Sequence, residues 1–162
     1  MVEEAALLVV EDDPDAVLLL KRAFRKVGLE APLHVVTDGE AAMAYLAGEG
    51  PFGDRQAYPL PCIILLNLKL PKRSGLEVLE WMRARPQLGG IPVIVVTTSD
   101  EPRERRRAAE LGAKHYDIKP IDSGSLLRLA RKVQKYTQRV SDRLRERKGD
   151  GNGHGNGNGH EP

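Results

Sequence analysis

Apolar positions along the chain fall into short unbroken blocks separated by stretches with helical spacing. The most compact block is Cys62-Ile63-Ile64-Leu65-Leu66, preceded by Pro61 and followed by Asn67-Leu68-Lys69-Leu70-Pro71. A run this short, without period-two alternation, predicts a central parallel strand buried on both faces. Ala5–Val10, Pro32–Thr37 and Ile91–Val96 read as further strands. Lys114–Ile118 is less apolar and is expected at a sheet edge.

The intervening stretches predict helices. Pro14 suits a first helical turn, where its missing N–H costs nothing. Val17, Leu18, Leu20, Phe24 and Val27 follow at helical spacing as the expected buried side, and Gly28 ends that helix. Asp38 is a candidate N-cap for a helix over Ala41–Ala47, and Gly48–Pro61 reads as a loop. Ser74 with Glu77 has capping-box spacing and opens a third helix, with Leu76, Leu79, Trp81 and Met82 expected inside. Glu101–Leu111 forms the fourth, stopped by Gly112. The fifth runs from Ser123 to about Lys148. Its residues Leu126, Ala130, Val133, Thr137, Val140 and Leu144 alternate spacings of four and three, a heptad seam. Five strand–helix units predict an α/β fold: a five-stranded, doubly wound parallel sheet in the flavodoxin-like order 2-1-3-4-5. Residues 1–136 are expected to form this body, 137–148 a projecting end of the last helix that pairs in a homodimer, and 149–162 a disordered Gly/Asn/His tail.

Composition narrows the class. The chain has 162 residues, a formal net charge of +2 and a single cysteine, Cys62, inside the central strand. No intrachain disulfide is possible. The acidic start, Met1-Val2-Glu3-Glu4, does not resemble a secretory signal, and no apolar run approaches a membrane span. A soluble, cytoplasmic protein is expected. The charge is uneven: Ser123 to Gly149 holds nine Lys or Arg against Asp142 and Glu146, and Arg103, Arg105, Arg106 and Arg107 form a second basic cluster. A solvated helix face explains most such runs. Binding of nucleic acid or an anionic membrane competes, but aromatic interleaving and a DNA-binding module are both missing from the sequence, so nucleic acid is disfavoured.

The candidate chemistry lies at the strand ends. The first strand delivers Glu11 and Asp12, the third Asn67, the fourth Thr97 and the fifth Lys119. Ligand sites in open parallel sheets lie beyond these carboxyl ends. Gathered acids suit a hard cation such as Mg²⁺, and an opposing lysine and hydroxyl suit a phosphoryl group. A nucleotide-binding enzyme is disfavoured, because Glu11-Asp12-Asp13-Pro14 is acidic and has no glycine-rich phosphate cradle.

Several segments, taken in order and spacing, resemble the receiver domain of two-component response regulators over about residues 5 to 135. They are Val9-Val10-Glu11-Asp12-Asp13, Leu65-Leu66-Asn67-Leu68-Lys69-Leu70-Pro71, Ser74-Gly75-Leu76-Glu77, Val95-Val96-Thr97 and Tyr116-Asp117-Ile118-Lys119-Pro120. His34-Val35-Val36-Thr37-Asp38-Gly39-Glu40, Gly50-Pro51-Phe52-Gly53-Asp54 and Leu76-Glu77-Val78-Leu79-Glu80-Trp81 are most similar to stand-alone regulators partnered with bacterial phytochrome histidine kinases. The resemblance implies a non-enzymatic signalling protein whose partner is a sensor histidine kinase, a homodimer through helix four, strand five and helix five, and Mg²⁺ as cofactor. It implies Asp12, Glu11 (through water), the residue-67 position and the Lys69 carbonyl as metal ligands. It also implies Lys119 and Thr97 as phosphoryl partners, Tyr116 and Thr97 as a paired switch, and a cis Lys119–Pro120 bond.

Residue 67 departs from the family pattern, in which the phosphoacceptor is an aspartate. A carboxylate attacks phosphorus as an anion, whereas the Asn67 carboxamide is neutral and a poor nucleophile. Its loss also removes one negative charge from the metal site. A regulator blocked in the aspartyl-phosphate cycle is expected, with a phosphorylation-independent scaffold as the alternative. Asn67 is either natural or an engineered block; retention of Asp12, Thr97 and Lys119 favours recent loss or engineering.

Overall fold

The computed structural model describes residues 5–119 and 122–151. The strands are β1 (Leu7–Val10), β2 (Leu33–Val36), β3 (Ile63–Leu66), β4 (Val93–Thr97) and β5 (His115–Ile118). They pair in parallel in the order β2-β1-β3-β4-β5, as expected from the sequence. Val10 lies level with Val36 on one side and Leu66 on the other, and Leu66 lies level with Val95.

Each apolar run is split between two cores because successive side chains point to opposite faces. Leu8, Val10, Ile64, Leu66, Val93 and Val95 join α2 (Gly39–Ala47), α3 (Gly75–Arg83) and α4 (Pro102–Glu110). Leu7, Val9, Ile63, Leu65, Ile94 and Val96 join α1 (Pro14–Lys26) and α5 (Ser123–Gly151). Each such side chain contributes roughly 1.5–3 kcal/mol of burial free energy.

The helix ends carry the expected signals. Asp13 caps α1 just before Pro14, and Gly28 adopts φ +76° beyond its last turn. The Asp38 carboxylate accepts from Ala41 N at 2.7 Å, and the Ser74 hydroxyl accepts from Glu77 N at 3.2 Å.

Four expectations need correction. Leu18 is 47% exposed, because α1 buries Leu20, Ala23 and Phe24 and this arc turns Leu18 outward beside Leu19. In α3 Leu79 and Met82 are buried as expected, together with Val78; Leu76 and Trp81 are instead half-buried at the margin, with the Arg85 guanidinium stacked 4.1 Å from the Trp81 ring centre. The heptad seam of α5 is largely used within the chain, since Ala130, Val133 and Thr137 are buried and Val140 packs on the same core. The helix therefore leaves its domain later than Thr137, and it continues to Gly151 rather than Lys148. The cis bond expected at Pro120 and the rest of the tail, residues 152–162, lie outside the described residues.

The Gly48–Pro61 segment is a closed structure rather than a plain loop. It contains a 3-10 turn, Gly50–Phe52, and is held by Arg55. The Arg55 guanidinium donates to the carbonyls of Tyr45 at 2.8 Å, Leu46 at 2.8 Å and Tyr58 at 3.2 Å. The Leu46 carbonyl is among those a helix end leaves over, while the Tyr45 carbonyl also accepts from Gly48 N at 3.1 Å. Around this clamp His34, Tyr45, Phe52 and Tyr58 pack ring against ring.

Arg55→Ala is expected to cost about 2 kcal/mol and lower the thermal midpoint by roughly 4–8 °C in a calorimetric scan. Arg55→Lys should recover only part of this, because an ammonium cannot reach three carbonyls in a plane.

Candidate functional site

The parallel register brings Glu11, Asn67 and Lys119 to one edge of the sheet. Asn67 N donates to Val10 O at 3.0 Å, which continues the β1–β3 pairing one residue past the strands. The backbone of β5 is tied similarly, with Lys119 N donating to Thr97 O at 2.7 Å. Behind Asn67 the chain folds back so tightly that a Cβ on Gly75 would lie 2.3 Å from the Asn67 carbonyl oxygen and 2.7 Å from Leu68 Cα. Only glycine permits α3 to start there.

Asn67 is 8% exposed and Glu11 4%. The Asn67 side-chain nitrogen, Nδ2, donates to Glu11 Oε2 at 2.9 Å and to the Lys69 carbonyl at 3.1 Å, with Asp12 Oδ1 at 3.4 Å. All three partners are acceptors, which fixes the amide orientation. The other Glu11 oxygen, Oε1, is paired with Lys119 Nζ. Asp12 N also donates to Glu11 Oε2 at 3.0 Å. One buried carboxylate thus gathers an amide, an ammonium and a backbone N–H.

Two carboxylates and a backbone carbonyl are the hard oxygen donors that suit Mg²⁺. As arranged here, however, the amide nitrogen sits where those oxygens converge and aims its N–H groups at them. The set is satisfied internally and does not fit a divalent cation without movement of Asn67. Among the described residues no group of three or more His, Cys, Asp or Glu forms a metal cluster.

Thr97 and Tyr116 are engaged elsewhere. Thr97 is buried, and its hydroxyl accepts from Ser99 N at 3.3 Å. The Tyr116 hydroxyl donates to Ser99 O at 2.9 Å, while the Arg105 guanidinium lies 5.3 Å from the ring centre. Burial pushes the Tyr116 phenol pKa up, partly offset by the nearby Ser99 side chain. The buried Ser99 hydroxyl is bonded to Glu104 and accepts from Glu101 N at 3.3 Å. Ser99 and Glu104 were not evident from sequence, since a five-residue separation across a strand–helix junction matches no capping pattern. His115 is half-buried with Nε2 3.5 Å from the Tyr136 hydroxyl, and burial lowers its pKa.

The response regulator receiver domain family matches residues 7–131. The chain is a member of that family. Among curated relatives, this receiver is 37% identical over 131 residues to a probable methanogenesis regulatory protein, FilR2, of Methanothrix harundinacea, covering 80% of this chain and 81% of that one. Among solved structures it is similar to the phosphorylated cyanobacterial phytochrome response regulator RcpA, with a TM-score of 0.74 and 29% identity over 83% of this chain and 94% of that one. It is also similar to the Mn²⁺-bound response regulator Rcp1, with a TM-score of 0.71 and 32% identity over 80% and 91%; the Rcp1 relative comes from Synechocystis. The receiver's five-stranded sheet and long last helix agree with these neighbours. No helix among the described residues is long and apolar enough to cross a membrane.

Lys119→Met should destabilise the receiver by about 3 kcal/mol, because it leaves the buried Glu11 carboxylate without its cation. The double variant Glu11→Gln/Lys119→Met should recover most of that loss. Urea titration of the four proteins reads the coupling, and strict additivity would refute it.

Proposed function

We propose that this chain is a response regulator that acts by protein–protein contact and does not enter the aspartyl-phosphate cycle, because Asn67 stands at the phosphoacceptor position. The observation that carries this reading is the Asn67 amide itself. It is neutral, and its donors are committed to Glu11, the Lys69 carbonyl and Asp12. Phosphoryl transfer needs an anionic oxygen there and charge neutralisation by metal and lysine. Lys119 is already paired with Glu11, and the Thr97 hydroxyl is bonded to Ser99 N. Affinity for Mg²⁺ through Glu11, Asp12 and the Lys69 carbonyl is correspondingly reduced.

A sensor histidine kinase of the phytochrome type is the proposed partner, on the strength of the RcpA and Rcp1 likeness. It would dock at α1, where Leu18 and Leu19 are 47% and 49% exposed beside a groove bordered by Glu11, Asp12 and Asp15. Homodimerisation through α4, β5 and α5 is proposed as the output contact. Sedimentation showing monomer alone well above micromolar concentration would overturn that part. A cytoplasmic location follows from this role. The second reading, a scaffold that binds constitutively, is favoured by the internal bonding of every site group; a duplex-DNA role draws support only from the basic charge of α5.

Intact-mass measurement after incubation with Mg²⁺ and a small phosphodonor tests the block. Asn67→Asp is expected to gain one phosphoryl group, and the Asn67 protein none. Labelling of the Asn67 protein would overturn the proposal; failure of both would replace it with the scaffold reading. In parallel, millimolar Mg²⁺ should raise the thermal midpoint of Asn67→Asp and leave that of the Asn67 protein unchanged.

A further inference from the structure

The opposite end of the sheet carries a second concave feature. There α5 runs past the amino ends of β3 and β4, and a groove of about 450 Å³ opens between them. Leu60, Ile91 and Pro92 line one side, and Val140 and Leu144 the other. These apolar groups lie at the base of a strongly cationic rim. Lys114, Arg139, Arg143 and Arg147 border the groove, and its lining contains no Asp or Glu.

The arrangement follows from helical spacing. Arg139, Arg143 and Arg147 recur every four residues along α5, and so do Tyr136, Val140 and Leu144 beside them. Residues four apart stack on one face, so a cationic stripe about 12 Å long runs beside an apolar one of equal length. The Arg139 guanidinium lies 5.8 Å from the Tyr136 ring centre, which holds it against the groove wall. Among the described residues, Lys114, Arg139 and Arg143 have no ion-pair partner. Asp142, the nearest acid on the helix, accepts from Gln138 at 3.0 Å and is not part of the lining. Like charges gathered this closely repel one another, and an anionic partner would relieve that repulsion.

We propose that this groove is a docking site for an acidic amphipathic helix of another protein. Its leucine-type side chains would cover Leu60, Ile91, Val140 and Leu144, and its carboxylates would meet Arg139, Arg143 and Arg147. The alternatives fit less well. A membrane surface would need the cations on a flat or convex face, and here they rim a hollow. Nucleic acid has no use for an apolar floor between its phosphate contacts. A second copy of α5 laid into this groove would bring its own positive stripe against Arg139 and Arg143 and be repelled there, which leaves a dimer contact elsewhere on the α4, β5 and α5 face unaffected. Because the groove lies at the amino ends of the strands, docking is independent of what happens at Asn67. The site thus does not rest on the phosphorylation reading.

The test is fluorescence anisotropy with the full chain and a labelled synthetic peptide of about 12 residues, long enough to span the stripe as a helix. The peptide carries Leu and Glu in two adjacent stripes of four-residue spacing. Saturable binding is expected, weakening with salt. The exposed pair Arg139→Glu/Arg143→Glu should weaken it by at least about tenfold with an unchanged thermal midpoint. Leu144→Asp should weaken it through the floor, and Asn67→Asp should leave it unchanged. Equal binding of a scrambled peptide of the same composition, or displacement of the peptide by duplex DNA or by anionic vesicles at comparable charge concentration, would overturn the proposal.

Discussion

The parallel pairing of β1 with β3 is the constraint on which the site depends. With Val10 level with Leu66, the next residue of each strand arrives at the same height, and Glu11 meets Asn67 there. A slip of one residue between them would turn the side chains of one strand to the opposite face and part Glu11 from Asn67. The continuous burial of Leu7–Val10 and Ile63–Leu66 makes such a slip prohibitive. Core packing and site geometry are therefore the same fact seen from two ends of the strand.

At that edge the electrostatics are unusually economical. Glu11 is buried, yet both of its carboxylate oxygens have donors: the Asn67 amide and the Asp12 N–H on Oε2, and the Lys119 ammonium on Oε1. A buried carboxylate without such partners would impose a desolvation cost of several kcal/mol. An aspartate at position 67 would replace one of the donors by a third anion. The same pocket would then require an external cation to hold together. The amide makes the metal-free arrangement self-sufficient, and in doing so it ties Lys119 to Glu11.

Most of the fold was legible because its determinants are local. Strands buried on two faces must be apolar throughout, and Asp38, Ser74 and Gly28 mark helix ends through bonds within a few residues. What escaped was non-local or depended on size. Ala23 and Val78 are small enough to sit deepest, which displaced Leu18 and Trp81 from the interior positions that hydropathy assigns them. The α5 seam has coiled-coil spacing because a helix packed on a sheet also needs a narrow apolar stripe; periodicity alone does not say what covers it. The gathering of Glu11, Asp12, Asn67 and Lys119 was readable from strand ends, whereas Lys69 came only with the family resemblance. The hub of Ser99, Glu104, Tyr116 and Arg105 was not, since its parts come from a junction, a helix and an edge strand.

The length of α5 has a mechanical consequence. Its first turn shares a groove with Lys119 and α1 through Leu126, and its last turns reach beyond the far end of the sheet. Between them the Gln134 side chain donates to Val27 O at 2.7 Å, and Val133 is fully buried. These contacts act as a fulcrum on a rod of 29 residues. A tilt of about 5° around that point moves the distal tip by roughly 2 Å, given about 1.5 Å of rise per residue. The distal turns of α5 therefore have more freedom to shift than the buried turns that hold the helix to the sheet.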